Sequence, residues 1–152
     1  MLHYYIEALS KYFTFSGRSR RKEYWSFMAV NFIVGMALGF LDGLTGVTAL
    51  GYIAAIYQLL MLIPGISLFV RRLHDTGRSG WHFFIPLVLS VMMLGVTGIA
   101  YYASTSLEHG VYWSGLYIVS VALYITALCY PIYIGVIDSK DTNRWGAPAN
   151  QF

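Results

Sequence analysis

Three arginines, a histidine and an aspartate stand together near the middle of the chain, in Arg71-Arg72-Leu73-His74-Asp75-Thr76-Gly77-Arg78-Ser79-Gly80-Trp81. Guanidinium forks and turn amides suit a phosphate oxyanion, so Arg71, Arg72 and Arg78 form a candidate anion site. His74 beside Asp75 is a candidate acid–base pair. Ser19 or Ser79 could supply a nucleophile, but no spacing in the sequence fixes that geometry. Cys129 lies inside an apolar run and reads as a small buried hydrophobe. His74, His82 and His109 lack metal-site spacing. No catalytic residue, metal ligand or cofactor follows from these patterns, and neither an enzyme nor a nucleic-acid binder is expected. A plainer reading of the arginines is that they snorkel and set topology, with His74-Asp75 a structural pair.

Those residues need elements to hold them, and composition says what kind. Hydrophobic residues make up 57% of the 152 and charged residues only 11%, against about 25% charged in soluble domains. A soluble domain of this size could not bury so much apolar surface. The bilayer is the simplest solvent for it. Four apolar spans follow, at about 24–44, 49–70, 82–103 and 115–137, each long enough for a hydrocarbon core about 30 Å thick. The expected fold is an all-α membrane protein: a four-helix transmembrane bundle of two hairpins forming a single membrane domain over 1–152. No cleavable leader is apparent, so the first span reads as a retained anchor.

The cations fix an expected orientation. Lys11, Arg18, Arg20, Arg21 and Lys22 precede the first span, Arg71, Arg72 and Arg78 lie between the second and third, and Lys140 and Arg144 follow the fourth. These are all ten Lys and Arg of the chain, while the other two connections hold only Asp42 and Glu108. The positive-inside rule then places 1–23, 71–81 and 138–152 in the cytosol.

Within this frame several positions have structural readings. Leu2, Tyr5, Ile6, Leu9, Tyr12 and Phe13 recur at helical spacing over 2–14, a short amphipathic helix at the membrane interface or packed on the bundle end. Ser19 is a candidate N-cap. Gly35, Gly39 and Gly43 make a bare stripe suited to close helix packing. Asn31 and Gln58, polar at depth in consecutive helices, are expected to hydrogen-bond to each other. Pro64 should kink the second span and leave a carbonyl for a neighbour to satisfy. If that helix continues past Val70, Arg71, His74 and Asp75 share one face, and Asp75 can pair with Arg71 or with a cation of the Arg18–Lys22 cluster. The segment Ser104–Ser114 reads as a polar connection containing Glu108, His109 and Trp113. Tyr101, Tyr102, Tyr112 and Trp113 fit an outer aromatic belt. Tyr117, Tyr124, Tyr130 and Tyr133 read as packing residues with bonded hydroxyls.

One pattern recurs: Phe15-Ser16-Gly17-Arg18, Asp75-Thr76-Gly77-Arg78 and Asp141-Thr142-Asn143-Arg144. Each can reverse the backbone at its Gly or Asn, and together they suggest a duplicated hairpin whose three corners meet. Phe15-Ser16-Gly17-Arg18-Ser19-Arg20-Arg21-Lys22-Glu23-Tyr24-Trp25 and the Arg71–Trp81 stretch resemble the two signatures of the domain-of-unknown-function 805 family. The tail Asn143-Arg144-Trp145-Gly146 resembles that family's closing element, with a Trp at a less usual position. The resemblance covers nearly the whole chain. It implies a small multi-pass protein of the bacterial inner membrane and carries no reaction, substrate or site.

The functional expectation is a non-catalytic module that binds anionic lipid headgroups, or a membrane or cytosolic protein, through Arg18, Arg20, Arg21, Arg71, Arg72, His74, Asp75 and Arg78. In this reading Asp75 holds the corners together and the arginines face the ligand. The alternative is a small oligomeric channel or transporter, a homo-oligomer in contact along the glycine stripe.

Overall fold

The computed structural model describes residues 1–106 and 110–148, with the side chains of 103–114 undescribed. Glu108 and His109, and the side chains of Tyr112 and Trp113, therefore lie outside the described residues. Five α-helices follow one another: Leu2–Ser10 (α1), Arg21–Thr45 (α2), Thr48–Asp75 (α3), Phe84–Ser106 (α4) and Gly110–Val136 (α5), with a 3-10 turn at Gly80–Phe83 before α4. No strand occurs among the described residues. Four of the helices are long and apolar enough to cross a membrane. The expected polar connection at Ser104–Ser114 is shorter than the sequence suggested, because α4 runs on to Ser106 and α5 starts at Gly110.

The chain divides into two compact units, Met1–Gly80 with Ile137–Phe152, and Trp81–Val136. The second unit is the α4–α5 hairpin. Its surface is apolar, with Tyr101 and Tyr102 exposed as an aromatic belt requires. Tyr117, Tyr124 and Tyr133 are exposed as well, so they do not pack inward as expected. Cys129 is also exposed rather than buried. A two-helix hairpin has one narrow seam, and most positions of either helix face outward.

The first unit is an α2–α3 hairpin with α1 laid against it. The hairpin turn is set by Gly46, which takes φ +61° at the C-cap of α2 and donates its N–H to Asp42 O at 2.9 Å. Glycine has no Cβ to oppose that left-handed cap. The seam explains part of the glycine stripe. A Cβ on Gly35 would meet Gln58 Nε2 at 3.3 Å, whereas Gly39 and Gly43 have open space beside them. Only Gly35 packs within the unit, so the stripe is not a continuous contact line.

Polar groups along the seam find partners, though not all the expected ones. Asn31 does not bond Gln58. Its Nδ2 donates to Phe27 O at 2.8 Å and its Oδ1 accepts from the Tyr57 hydroxyl at 2.8 Å. Gln58, one position further round the helix, lies over Gly35 and is exposed. Tyr57 in turn reaches Tyr5 on α1, with 3.4 Å between the hydroxyls. Tyr5 also stacks on Phe27, with ring centroids 5.6 Å apart.

The proline of α3 accounts for a second contact with the N-terminal segment. Pro64 has no N–H, so the carbonyl of Leu60, four residues earlier, loses its helical donor. The Tyr12 hydroxyl donates to that oxygen at 2.5 Å. Tyr5 on α1 and Tyr12, just past its end, both reach α3. The N-terminal segment thus packs on the hairpin, while Leu2, Ile6 and Phe13 leave an exposed apolar edge. Of the two expected placements, the contacts show the packed one.

Candidate functional site

The densest polar cluster lies at the basic end of the α2–α3 hairpin. Helix α3 does continue past Val70, through Asp75. It ends where Gly77, at φ +76°, lets Gly77 N–H reach His74 O at 3.0 Å and Arg78 N–H reach Leu73 O at 2.9 Å. This pair of bonds is a Schellman cap and needs a left-handed residue at that position. A Cβ on Gly77 would also fall 2.7 Å from the Lys140 Cδ.

Asp75 is fully buried and lies at the centre. Its Oδ1 accepts from Arg18 Nε at 2.8 Å, and its Oδ2 accepts from Arg72 Nη1 and, at 2.5 Å, from Ser139 Oγ. Its backbone carbonyl accepts from Arg18 Nη2 at 2.9 Å and from the Lys140 N–H at 3.0 Å. Arg18 spends its remaining donors on carbonyls of the tail: Lys140 at 2.5 Å, Gly146 at 2.9 Å and Asp141 at 3.3 Å. Arg72 Nη2 and Arg21 Nε both donate to Ile137 O. The carboxylate therefore joins α3, the segment before α2 and the segment after Val136.

A second buried ion pair lies one turn back. Arg71 Nη1 meets Glu23 Oε1 at 2.9 Å, with both side chains about 1–2% exposed. Ser19 Oγ donates to the other oxygen of Glu23 at 2.9 Å. Ser19 is thus a partner of a buried carboxylate rather than the expected N-cap, which is Arg20. Lys11 stands 4.0 Å from Glu23 and 2.8 Å from Glu7. The Lys11 hydrogen bond holds the Glu7 carboxyl below its ordinary range.

The tail closes over the other side of α3. His74 Nδ1 lies 3.2 Å from Gly17 O, and its ring stacks on Trp145 at 4.4 Å. The Arg144 guanidinium rests 4.0 Å from the same indole. Asn143 Nδ2 donates to His74 O at 3.0 Å. Asn143 and Gly146 pair through their backbones, and Gly146 rather than Asn143 takes the positive φ, at +110°. The three echoing corners, at Gly17, Gly77 and Asn143, do meet around His74 and Asp75. The third turns at a different position from the other two.

Asp75 holds the corners together, and Arg71 pairs with Glu23 rather than with Asp75. The arginines, however, do not face outward. Arg18, Arg71 and Arg72 are at most 3% exposed and are occupied by carboxylates and carbonyls. A buried guanidinium must be paired, and here the pairing is internal. Arg78 is half-buried at the cap. Of the expected contact residues Arg20 and Arg21 remain near the surface, with Arg21 on Asp138 at 2.5 Å. His74 is buried at 9% exposure, and Ser19 Oγ points to Glu23, so no serine–histidine pair forms. Glu23 was missed as a site residue. Its signal was an acid amid four cations at a helix start. No group of three or more possible metal ligands occurs among the described residues.

A family model described as "Protein of unknown function (DUF805)" matches residues 12–147, from the end of the N-terminal segment through the tail turn. The chain belongs to the DUF805 family. Inner membrane protein YhaI of Escherichia coli K12 is 41% identical over 96 residues, covering 61% of this chain and 80% of that one. Inner membrane protein YhaH of the same organism is 41% identical over 93 residues, covering 57% and 77%. Uncharacterized protein YiiR is 34% identical over 84 residues, covering 55% and 56%. No solved structure matches. With four helices able to span a bilayer, this DUF805 chain is a multi-pass inner-membrane protein.

Proposed function

We propose that the protein is a non-catalytic membrane module that binds anionic lipid headgroups through the cations its interior leaves over, with both termini in the cytosol. The observation that carries this reading is how the charges are divided. Lys11, Arg18, Arg21, Arg71 and Arg72 are neutralised by Glu7, Asp75, Asp138 and Glu23. Arg20, Lys22, Lys140 and Arg144 have no carboxylate partner among the described residues, and the last three are exposed. A cation near an anionic bilayer surface contributes about 1 kcal/mol. The buried clamp holds the tail, and therefore Lys140 and Arg144, on the same unit as Lys22. The occupied state of His74, between Gly17 O and Trp145, supports a structural role for that residue rather than an acid–base one.

The test is co-purification. Lys22→Gln, Lys140→Gln and Arg144→Gln together should lower retained phosphatidylglycerol and cardiolipin, measured by mass spectrometry, with the fold unchanged. Unchanged retention removes the reading, and loss of a co-purifying protein instead would point to a protein partner. A second reading, a small oligomeric channel or transporter, rests on Gln58, which is exposed midway along α3. Solute flux in proteoliposomes that disappears in Gln58→Leu would establish it.

A further inference from the structure

The opposite end of the α2–α3 hairpin carries a carboxylate with no cation to meet. Asp42 accepts no side-chain hydrogen bond and makes no ion pair among the described residues. The sequence has no Lys or Arg from 23 to 70, and none from 81 to 136. Along α2 the nearest, Lys22, is twenty residues away, roughly 30 Å at 1.5 Å per residue.

This carboxylate borders an open cleft of about 560 Å³, lined by Asp42, Gly46, Thr48, Gly51, Tyr52 and Ala55. Two glycines shape it. Gly46 makes the left-handed turn that brings α3 back beside α2. Gly51 leaves the carboxylate uncovered: a Cβ there would lie 3.7 Å from Asp42 Oδ1 and 3.9 Å from Oδ2. Tyr52 is 72% exposed, so its ring and hydroxyl are available at the rim. Thr48 adds a second hydroxyl.

The donor set limits the ligand. Calcium takes six to eight oxygens and zinc four ligands rich in His or Cys, and one carboxylate among these residues supplies neither set. An ammonium group needs one negative partner, a few acceptors and an aromatic face, which is what these residues offer. We propose that this cleft binds an ammonium group, carried by a lipid headgroup or by a free amine. The site is separate from the basic end and does not depend on the lipid reading given for it.

The experiment uses the full chain in nanodiscs of phosphatidylglycerol with graded amounts of phosphatidylethanolamine. Lipid retained by the ejected protein is measured by native mass spectrometry for wild type, Asp42→Asn and Gly51→Ala. Asp42→Asn keeps the shape and removes the charge. Gly51→Ala keeps the charge and covers it, and it is decisive if the first variant fails to fold. A second arm titrates ethanolamine alone and follows the amide resonances of Gly46 and Gly51. Loss of one charge-assisted contact is expected to weaken binding roughly tenfold or more. Phosphatidylethanolamine retention lost in the variants assigns a lipid headgroup, and ethanolamine shifts lost in the variants assign a free amine. Equal retention by wild type and variants, with no ethanolamine shift, overturns the proposal.

Discussion

Replacing Asp75 by Asn keeps the volume and removes one negative charge from a carboxylate that is fully buried. Two guanidiniums depend on it, those of Arg18 and Arg72, at 3% and 0% side-chain exposure. The Asn amide nitrogen would also face a donor, Arg18 Nε, Arg72 Nη1 or Ser139 Oγ according to its rotamer. Breaking a buried pair by removing one partner costs about 3–5 kcal/mol, because a charge stays behind in low dielectric. The carbonyls of Asp75, Lys140, Asp141 and Gly146 still hold Arg18, and that of Ile137 still holds Arg72. The lower end, about 3 kcal/mol, is therefore expected. Equilibrium unfolding in mixed micelles measures it. Limited proteolysis of 138–148 should show the tail loosened, since Ser139 loses its carboxylate acceptor. Arg18→Gln alone should cost less, because Arg72 continues to neutralise Asp75. The double variant should be more stable than the two single losses imply, by about 1–3 kcal/mol, as for groups in one network. An Asp75→Asn protein within about 0.5 kcal/mol of wild type would refute the clamp, as would strict additivity with Arg18→Gln.

Other outcomes follow from the same contacts. Tyr12→Phe should cost about 1–3 kcal/mol by leaving the Leu60 carbonyl unpaired, and the cost should vanish in a Pro64→Ala background, where the helix supplies its own donor. Arg71→Lys should be tolerated better than Arg72→Lys in thermal unfolding, because Arg71 Nη2 has no partner among the described residues whereas both amino groups of Arg72 are bonded. Gly77→Ala should destabilise by about 1–2 kcal/mol through its left-handed backbone, with Lys140 forced aside. The Glu7 carboxyl titrates below its unfolded value, set at 4.5 in water. Its contribution is present above that pH and is lost as pH falls through the lower folded value. The protection factors of the α1 amides, corrected for intrinsic exchange rate, should therefore fall on acidification below about pH 4.5, and Glu7→Gln should remove that pH-dependent part.

Span number and family were legible because the signals that encode them are local: apolar run length, and signature residues adjacent in sequence. The extension of α3 to Asp75 follows from the Thr76–Gly77 cap. The readings that failed depend on which way a side chain points. Asn31 and Gln58 occupy neighbouring helices, yet one residue's difference of rotation gives the bond to Tyr57 instead. Arg18, Arg71 and Arg72 were placed at the surface because cations at span ends ordinarily snorkel. That rule does not count carboxylates, and Glu23 and Asp75 are close enough to draw all three inward. Tyr12 was grouped with an amphipathic stripe, although Pro64 already announced a free carbonyl. Joining those two facts needed the fold.

The order of residues around the clamp bears on synthesis, in which the chain emerges from its N-terminus. Arg18 is made 57 residues before Asp75, and Arg72 only three before it. Both counter-charges thus exist when the carboxylate appears, and neither has to wait for later helices. Glu23 emerges 48 residues ahead of Arg71, with Lys11, already made, 4.0 Å from it in the finished fold. Ser139, the third ligand of Asp75, arrives 64 residues later. Asp75 and Glu23 are thus never nascent without a cation upstream, and the closing hydroxyl arrives only once the fourth span has been made.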